Sequence, residues 1–193
     1  MLGSIREFLI LILMNKPLKV ILFIGSLIIF SYGIHLFSEI KKSDDSVNSL
    51  VQQGDKISLP HTLLDTNGNE VSVDQLNGKY VGLYFSASWC GPCRSFTPKL
   101  VKFKEEHKEK FEVVLVGSDG SSKAQANYMK KYKMPWFALK NQSDVARDIS
   151  LSLQVEFIPY LVILDADGNV ITKAGKKDID SMGNAAFVSW TKS

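Results

Sequence analysis

The sequence predicts an α/β protein with a central mixed sheet, helices on both faces and an N-terminal β-hairpin extension, preceded by one transmembrane helix. Three observations lead there. Short β-prone runs alternate with amphipathic stretches, which implies parallel strands joined by helical crossovers. Hairpin dipeptides stand at either end of that alternation, Asn67-Gly68 and Asp167-Gly168. An uncharged apolar run, Val20 to Phe37, comes before all of it.

The 193 residues suit one domain with extensions. With 45% hydrophobic and 22% charged residues the composition is that of a globular protein. A net charge of +3 without a basic block argues against nucleic acid as a partner.

Residues 1–19 form an N-terminal segment, and 20–37 would make roughly 27 Å of helix, close to the ~30 Å bilayer core. Arg6, Lys16 and Lys19 precede that run, which favours a cytoplasmic N-terminus. A cleaved signal peptide is the rival reading. It calls for a shorter apolar region and a small-residue cleavage site, and "SYGIHLFSEIKKS" offers no convincing one. The favoured reading is an uncleaved signal-anchor. Residues 38–51 then read as a polar tether and 52–193 as the globular domain.

Within that domain "LLDTNGNEVSV" reads as a hairpin and "YVGLYFS", Tyr80 to Ser86, as a compact strand. A helix is expected from about Cys90 to Lys110. Cys93, Phe96, Leu100 and Phe103 give it one buried stripe, and Pro98 interrupts it. "FEVVLVGSD" reads as a strand buried on both faces. Ser121 and Ser122 can cap a helix running to about Tyr132. A short strand near "WFAL" and a helix from about Ser143 to Leu153 follow. "YLVILDADGNVIT" is a strand, a turn and a second strand that adds an antiparallel edge. One final helix is expected from about Asp178 to Trp190.

Cys90 and Cys93 are the only cysteines, so no multi-bridge framework is available. His35, His61 and His107 show no zinc-ligand spacing to them. A disulfide across so short a loop stabilises little, which leaves reactivity as the better reason for the pair. Cys90 falls where a strand ends and a helix begins. The unpaired N–H groups of that helix terminus favour a thiolate. Cys93 lies one turn further on the buried stripe. Cys90 can then attack a disulfide and Cys93 can resolve the mixed intermediate. Pro92 removes a backbone donor beside the sulfurs and stiffens the turn, which biases the pair towards reduction.

"WCGPC", followed five residues after Cys93 by Pro98, resembles thioredoxin in active site and kinked helix. The resemblance runs from roughly Gln52 to Trp190, giving a thioredoxin-like domain at 52–193. "GKYVGLYFSASWCGPCRSFTPKL", "KMPWFAL" and "VEFIPYLVILDADGNVIT" look like the tryparedoxin and nucleoredoxin group. The early hairpin is similar to bacterial membrane-tethered thioredoxins, some of which serve cytochrome c maturation. The resemblance implies Cys90 as nucleophile, Cys93 as resolving thiol, and Trp89, Gly91 and Pro92 flanking them. It also implies Ile158 and a cis Pro159 facing the substrate chain. Trp136 is placed near the site by the same likeness, with plain core packing as the alternative.

Two departures stand out. Tyr84 occupies the position of thioredoxin's buried proton-handling Asp, so Glu156 is the candidate for a proton relay. Gly91-Pro92 replaces the Pro-Pro common in tryparedoxins and nucleoredoxins, so substrate identity does not carry over. "DADGN", Asp165 to Asn169, opens like a calcium loop, but Lys176 stands where the twelfth-position Glu belongs. It reads as a turn, and no metal or cofactor is expected.

The expected function is a membrane-anchored thiol-disulfide oxidoreductase that reduces protein or small-molecule disulfides, recharged by a membrane or soluble electron donor. Its catalytic domain is expected on the periplasmic or extracytoplasmic side. A cytochrome c maturation reductase, a disulfide oxidase or isomerase, and a non-catalytic client-binding module are the alternatives.

Overall fold

β-branched and aromatic residues dominate the runs that become strands, and the pleat sends alternate side chains to opposite faces. A computed structural model of the chain describes residues 56–192. The expectations for 1–19, 20–37 and 38–51 lie outside the described residues. Among those described, no helix is long and apolar enough to cross a membrane.

The elements, in chain order, are β1 Thr62–Leu64, β2 Glu70–Ser72, β3 Tyr80–Ser86, α1 Gly91–Glu106, β4 Phe111–Gly117 and α2 Ser122–Lys131. They continue with β5 Phe137–Ala138, α3 Asp144–Ser152, β6 Tyr160–Leu164, β7 Val170–Thr172, α4 Gly175–Met182 and α5 Ala185–Trp190. The strands form one sheet in the order β2-β1-β5-β4-β3-β6-β7. Its centre, β5, β4 and β3, is parallel, while β6 and β7 on one side and β1 and β2 on the other are antiparallel. This is the mixed sheet with an added N-terminal hairpin that the pattern predicts.

Alternation decides which helix covers which face. Tyr84, Val113, Leu115, Leu161 and Ile163 join one core with Phe96, Leu100 and Phe103 of α1 and Phe187 and Trp190 of α5. Leu83, Phe85, Val114, Val116 and Val162 join the other with Ala146 and Ile149 of α3. Both faces are therefore sealed, and function is left to the sheet edges and loops.

One pairing places the site. β3 and β4 run parallel from Tyr80 beside Phe111 to Ser86 beside Gly117. Both strands thus end at the same level, and their following loops emerge side by side, one carrying Trp89 and Cys90 and the other Ser118 and Asp119.

Two local expectations differ, and one element is added. α1 stops at Glu106 rather than Lys110, because His107 caps it through its N–H to the Lys104 carbonyl. The final helix is two, α4 and α5, separated at Gly183. Its φ of 54° is a backbone state that glycine adopts without steric cost. A single 3₁₀ turn, Val73–Leu76, follows β2, capped by the Ser72 hydroxyl.

Candidate redox site

Cys90 is the N-cap of α1, and its sulfur accepts the Cys93 N–H at 3.2 Å. Pro92 lies in the first turn, where a missing N–H removes no helical bond. The two sulfurs are joined in a disulfide with Cα atoms 5.2 Å apart, the oxidised form of the pair. Cys93 is fully buried and Cys90 shows a sliver of surface, 6%. An incoming sulfur therefore meets Cys90 first.

The wall opposite comes from the far end of the chain. Ala87 and Ile158 pack against the two cysteines, and Cys90 Sγ lies 3.7 Å from the Ile158 carbonyl oxygen. The Ile158–Pro159 peptide bond is cis. Trp89 is 63% exposed, yet its indole N–H donates to the Ser118 carbonyl at 3.1 Å. Phe157, 66% exposed, stands beside Ile158, edge-on to Tyr160. A cavity of about 360 Å³, lined by Ser118, Gln142, Arg147 and Leu151 among others, opens beside the loop that holds Trp89.

Beneath Cys93 the charge expected from a carboxylate is absent. The Tyr84 hydroxyl lies 3.2 Å from the Cys93 carbonyl oxygen, and Thr97 Oγ1 donates to the same oxygen at 2.9 Å. Hydroxyl contacts then run from Tyr84 to Thr97 at 3.0 Å, Thr97 to Tyr128 at 2.9 Å, and Tyr128 to Ser86 at 3.0 Å. Burial pushes the Tyr84 phenol well above its ordinary value of 10, so it stays neutral. This run of hydroxyls anchors the main chain under the Cys93 sulfur and holds no carboxylate or imidazole.

A thioredoxin-like family model matches residues 77–170. Tryparedoxin of Trypanosoma brucei brucei is 41% identical over 131 residues, covering 65% of this chain and 90% of that one. The chain belongs to the thioredoxin-like family. Probable nucleoredoxin 1 of Arabidopsis thaliana is 40% identical over 128 residues, covering 65% of this chain but only 22% of that protein. A solved tryparedoxin II complexed with glutathionylspermidine is 36% identical, with a TM-score of 0.60 over 66% of this chain and 90% of that one. The chain thus spans nearly the whole of a tryparedoxin and a minor part of a nucleoredoxin.

In this thioredoxin-like domain the other expected residues fall in different places. Glu156 is exposed, and its carboxylate has no hydrogen-bond or ion-pair partner among the described residues. Trp136 is buried and packs edge-on to Tyr84, so it belongs to the core under β3 and not to the open face of the site. Sequence reasoning missed Thr97, Tyr128, Ser88, Arg94, Ser118 and Asp119. Thr97 was detectable, since it follows Cys93 by one helical turn on the buried side. Arg94 reaches back six residues to the Ser88 carbonyl, while Tyr128, Ser118 and Asp119 meet their partners 29 to 42 residues away, which leaves no local signal.

Proposed function

We propose that the domain is a thiol-disulfide oxidoreductase that reduces disulfides, held at a membrane by residues 20–37 with Cys90 on the extracytoplasmic side. The observation that supports it most is the placement of the two sulfurs. One is a helix N-cap at the surface, and the other is buried one turn below on the same helix.

In the forward step the Cys90 thiolate attacks one substrate sulfur. A Cys90–substrate disulfide forms as the substrate S–S bond breaks, and the second substrate sulfur leaves as thiolate. The Cys93 thiolate then attacks Cys90 Sγ, closing the Cys90–Cys93 bond and releasing the first substrate sulfur. Two electrons pass to the substrate, and the protons of the two cysteine thiols end on the two released thiols. With only neutral hydroxyls beneath Cys93, those protons travel through solvent or the leaving thiolates. The Cys93 N–H at 3.2 Å and the helix N-terminus stabilise the attacking thiolate.

The exposed Trp89 and Phe157 on either side of Cys90 favour an extended polypeptide or a peptide-like thiol conjugate as substrate. The electron donor is a dithiol partner of lower potential, in the membrane or soluble. Insulin reduction by residues 54–193 tests the chemistry. Cys90→Ser should abolish it, and retained turnover in that variant would overturn the reading. A reduction potential near −270 mV fits a reductase, whereas one near −120 mV would mark an oxidant. Labelling of Cys90 in intact cells by a membrane-impermeant thiol reagent, after mild reduction, tests the orientation; labelling only after permeabilisation would reverse it.

A further inference from the structure

The most fully restrained part of the site is the turn ahead of the nucleophile, and the groups that restrain it come from two other loops. Asp119 is completely buried in the loop after β4. Its Oδ1 accepts both donors of Ser88, the N–H at 2.9 Å and the hydroxyl at 2.6 Å. The Ser88 carbonyl accepts Arg94 from the first turn of α1 at 2.8 Å. Ser118, next to Asp119, holds the Trp89 indole through its own carbonyl. Cys90 closes the turn with its N–H to the Ala87 carbonyl at 3.2 Å.

Asp119 is itself held from outside. Its main-chain carbonyl accepts two side-chain amides, Asn141 Nδ2 and Gln142 Nε2, both at 2.9 Å. Gln142 adopts a φ of 51°, a left-handed state that is sterically costly for a non-glycine residue. Asp119 Oδ2 is buried with no partner among the described residues. A buried acceptor without a donor is destabilising. An unsatisfied carboxylate oxygen and a strained residue, on one connected set of loops, are poor choices for stability alone.

We propose that Asp119 is a positioning residue of the redox site. Clamped by Asn141 and Gln142, it fixes Ser88 and Trp89, and through them sets where Cys90 Sγ stands relative to the Cys93 N–H and the Ile158 carbonyl. The proposal rests on the redox reading of Cys90, but its structural half stands apart from any substrate. It acts through geometry, since the grip on Ser88 needs an acceptor at Oδ1 and not a net charge.

The experiment compares Asp119→Ala, Asp119→Asn and Ser88→Ala in the full chain, after a thermal melt shows which of them fold. Two quantities are read: the alkylation rate of reduced Cys90 by iodoacetamide, and hydrogen exchange at the Trp89 indole N–H, assigned by Trp89→Phe. Asp119→Ala should slow Cys90 by about 10-fold or more, in line with the rate cost of small misplacements. It should also speed indole exchange. Asp119→Asn, which keeps the Oδ1 acceptor, should restore most of both. If Asp119→Ala does not fold, Ser88→Ala decides, with slower alkylation and faster exchange expected in the same sense. Alkylation within twofold of wild type together with unchanged exchange would overturn the proposal. So would an Asn variant as impaired as Ala. A wild-type domain that leaves insulin intact would sink the reductase reading while these measurements still judged the clamp.

Discussion

Thr97 carries more of the site's local order than its size suggests. Its hydroxyl touches the Cys93 carbonyl, Tyr84 and Tyr128, and the residue is fully buried. Thr97→Val keeps the shape but takes one hydrogen-bond partner from each of three polar groups, so a loss of about 1–3 kcal/mol is expected in urea unfolding, with the disulfide intact. A loss within 0.5 kcal/mol would mean the hydroxyl chain adds little. His107 makes a pH prediction. Burial between Phe103 and Phe187 lowers its pKa from 6.5, outweighing Glu106, and its Nε2 is buried without a partner among the described residues. The folded state therefore resists protonation. As pH falls through 6.5 the unfolded chain binds the proton first, so stability is present above that pH and declines below it. His107→Phe should flatten this slope in thermal melts between pH 7 and 5; an unchanged slope would assign it to other groups.

At the scale of elements, Gly117 ends β4 where α2 comes closest. A Cβ there would lie 1.9 Å from Gln125 Oε1, and Gln125 is the side chain whose amide donates to the Leu139 carbonyl at 3.0 Å. Gly117→Ala must push that side chain aside and leave a buried carbonyl short of a donor. A destabilisation of roughly 1–3 kcal/mol is expected by chemical denaturation. The loss should be smaller in Gly117→Ala with Gln125→Ala than the two single changes sum to, because they disturb one contact. Most elements were legible because their signals are local. β3 is the run "YVGLYFS" itself, the α1 stripe is buried at each expected position, and Ser121 and Ser143 cap the next two helices. The break at Gly183 was also written in "MGN" but was overridden by the apolar period on either side. Periodicity reports which face is buried, not whether the axis is continuous. The "DADGN" reading held, for Asp165 turns its carboxylate onto the N–H groups of Asp167 and Asn169 in a hairpin.

At the scale of the whole molecule, both faces of the sheet are sealed within the described residues, so the domain needs no membrane contact to complete its core. Residues 54–193 alone should unfold in a single cooperative transition and keep the Cys90–Cys93 exchange. A broad, probe-dependent melt would show that the preceding segment is part of the fold. In native membranes Cys93→Ser should accumulate mixed disulfides on Cys90, which vanish in the Cys90→Ser, Cys93→Ser double variant.

The sequence by itself determined the strand and helix identities, the redox pair, its place at a helix N-terminus and the order of its two sulfurs, because each depends on neighbours within a turn or a strand. Only the tertiary structure decided what surrounds that pair. Asp119 reaches Ser88 across 31 residues, Tyr128 reaches Ser86 across 42, and Ile158 reaches Cys90 across 68. Those contacts exist because β4 and β6 pair with β3 in a fixed register, and no local period encodes which strand will lie alongside which.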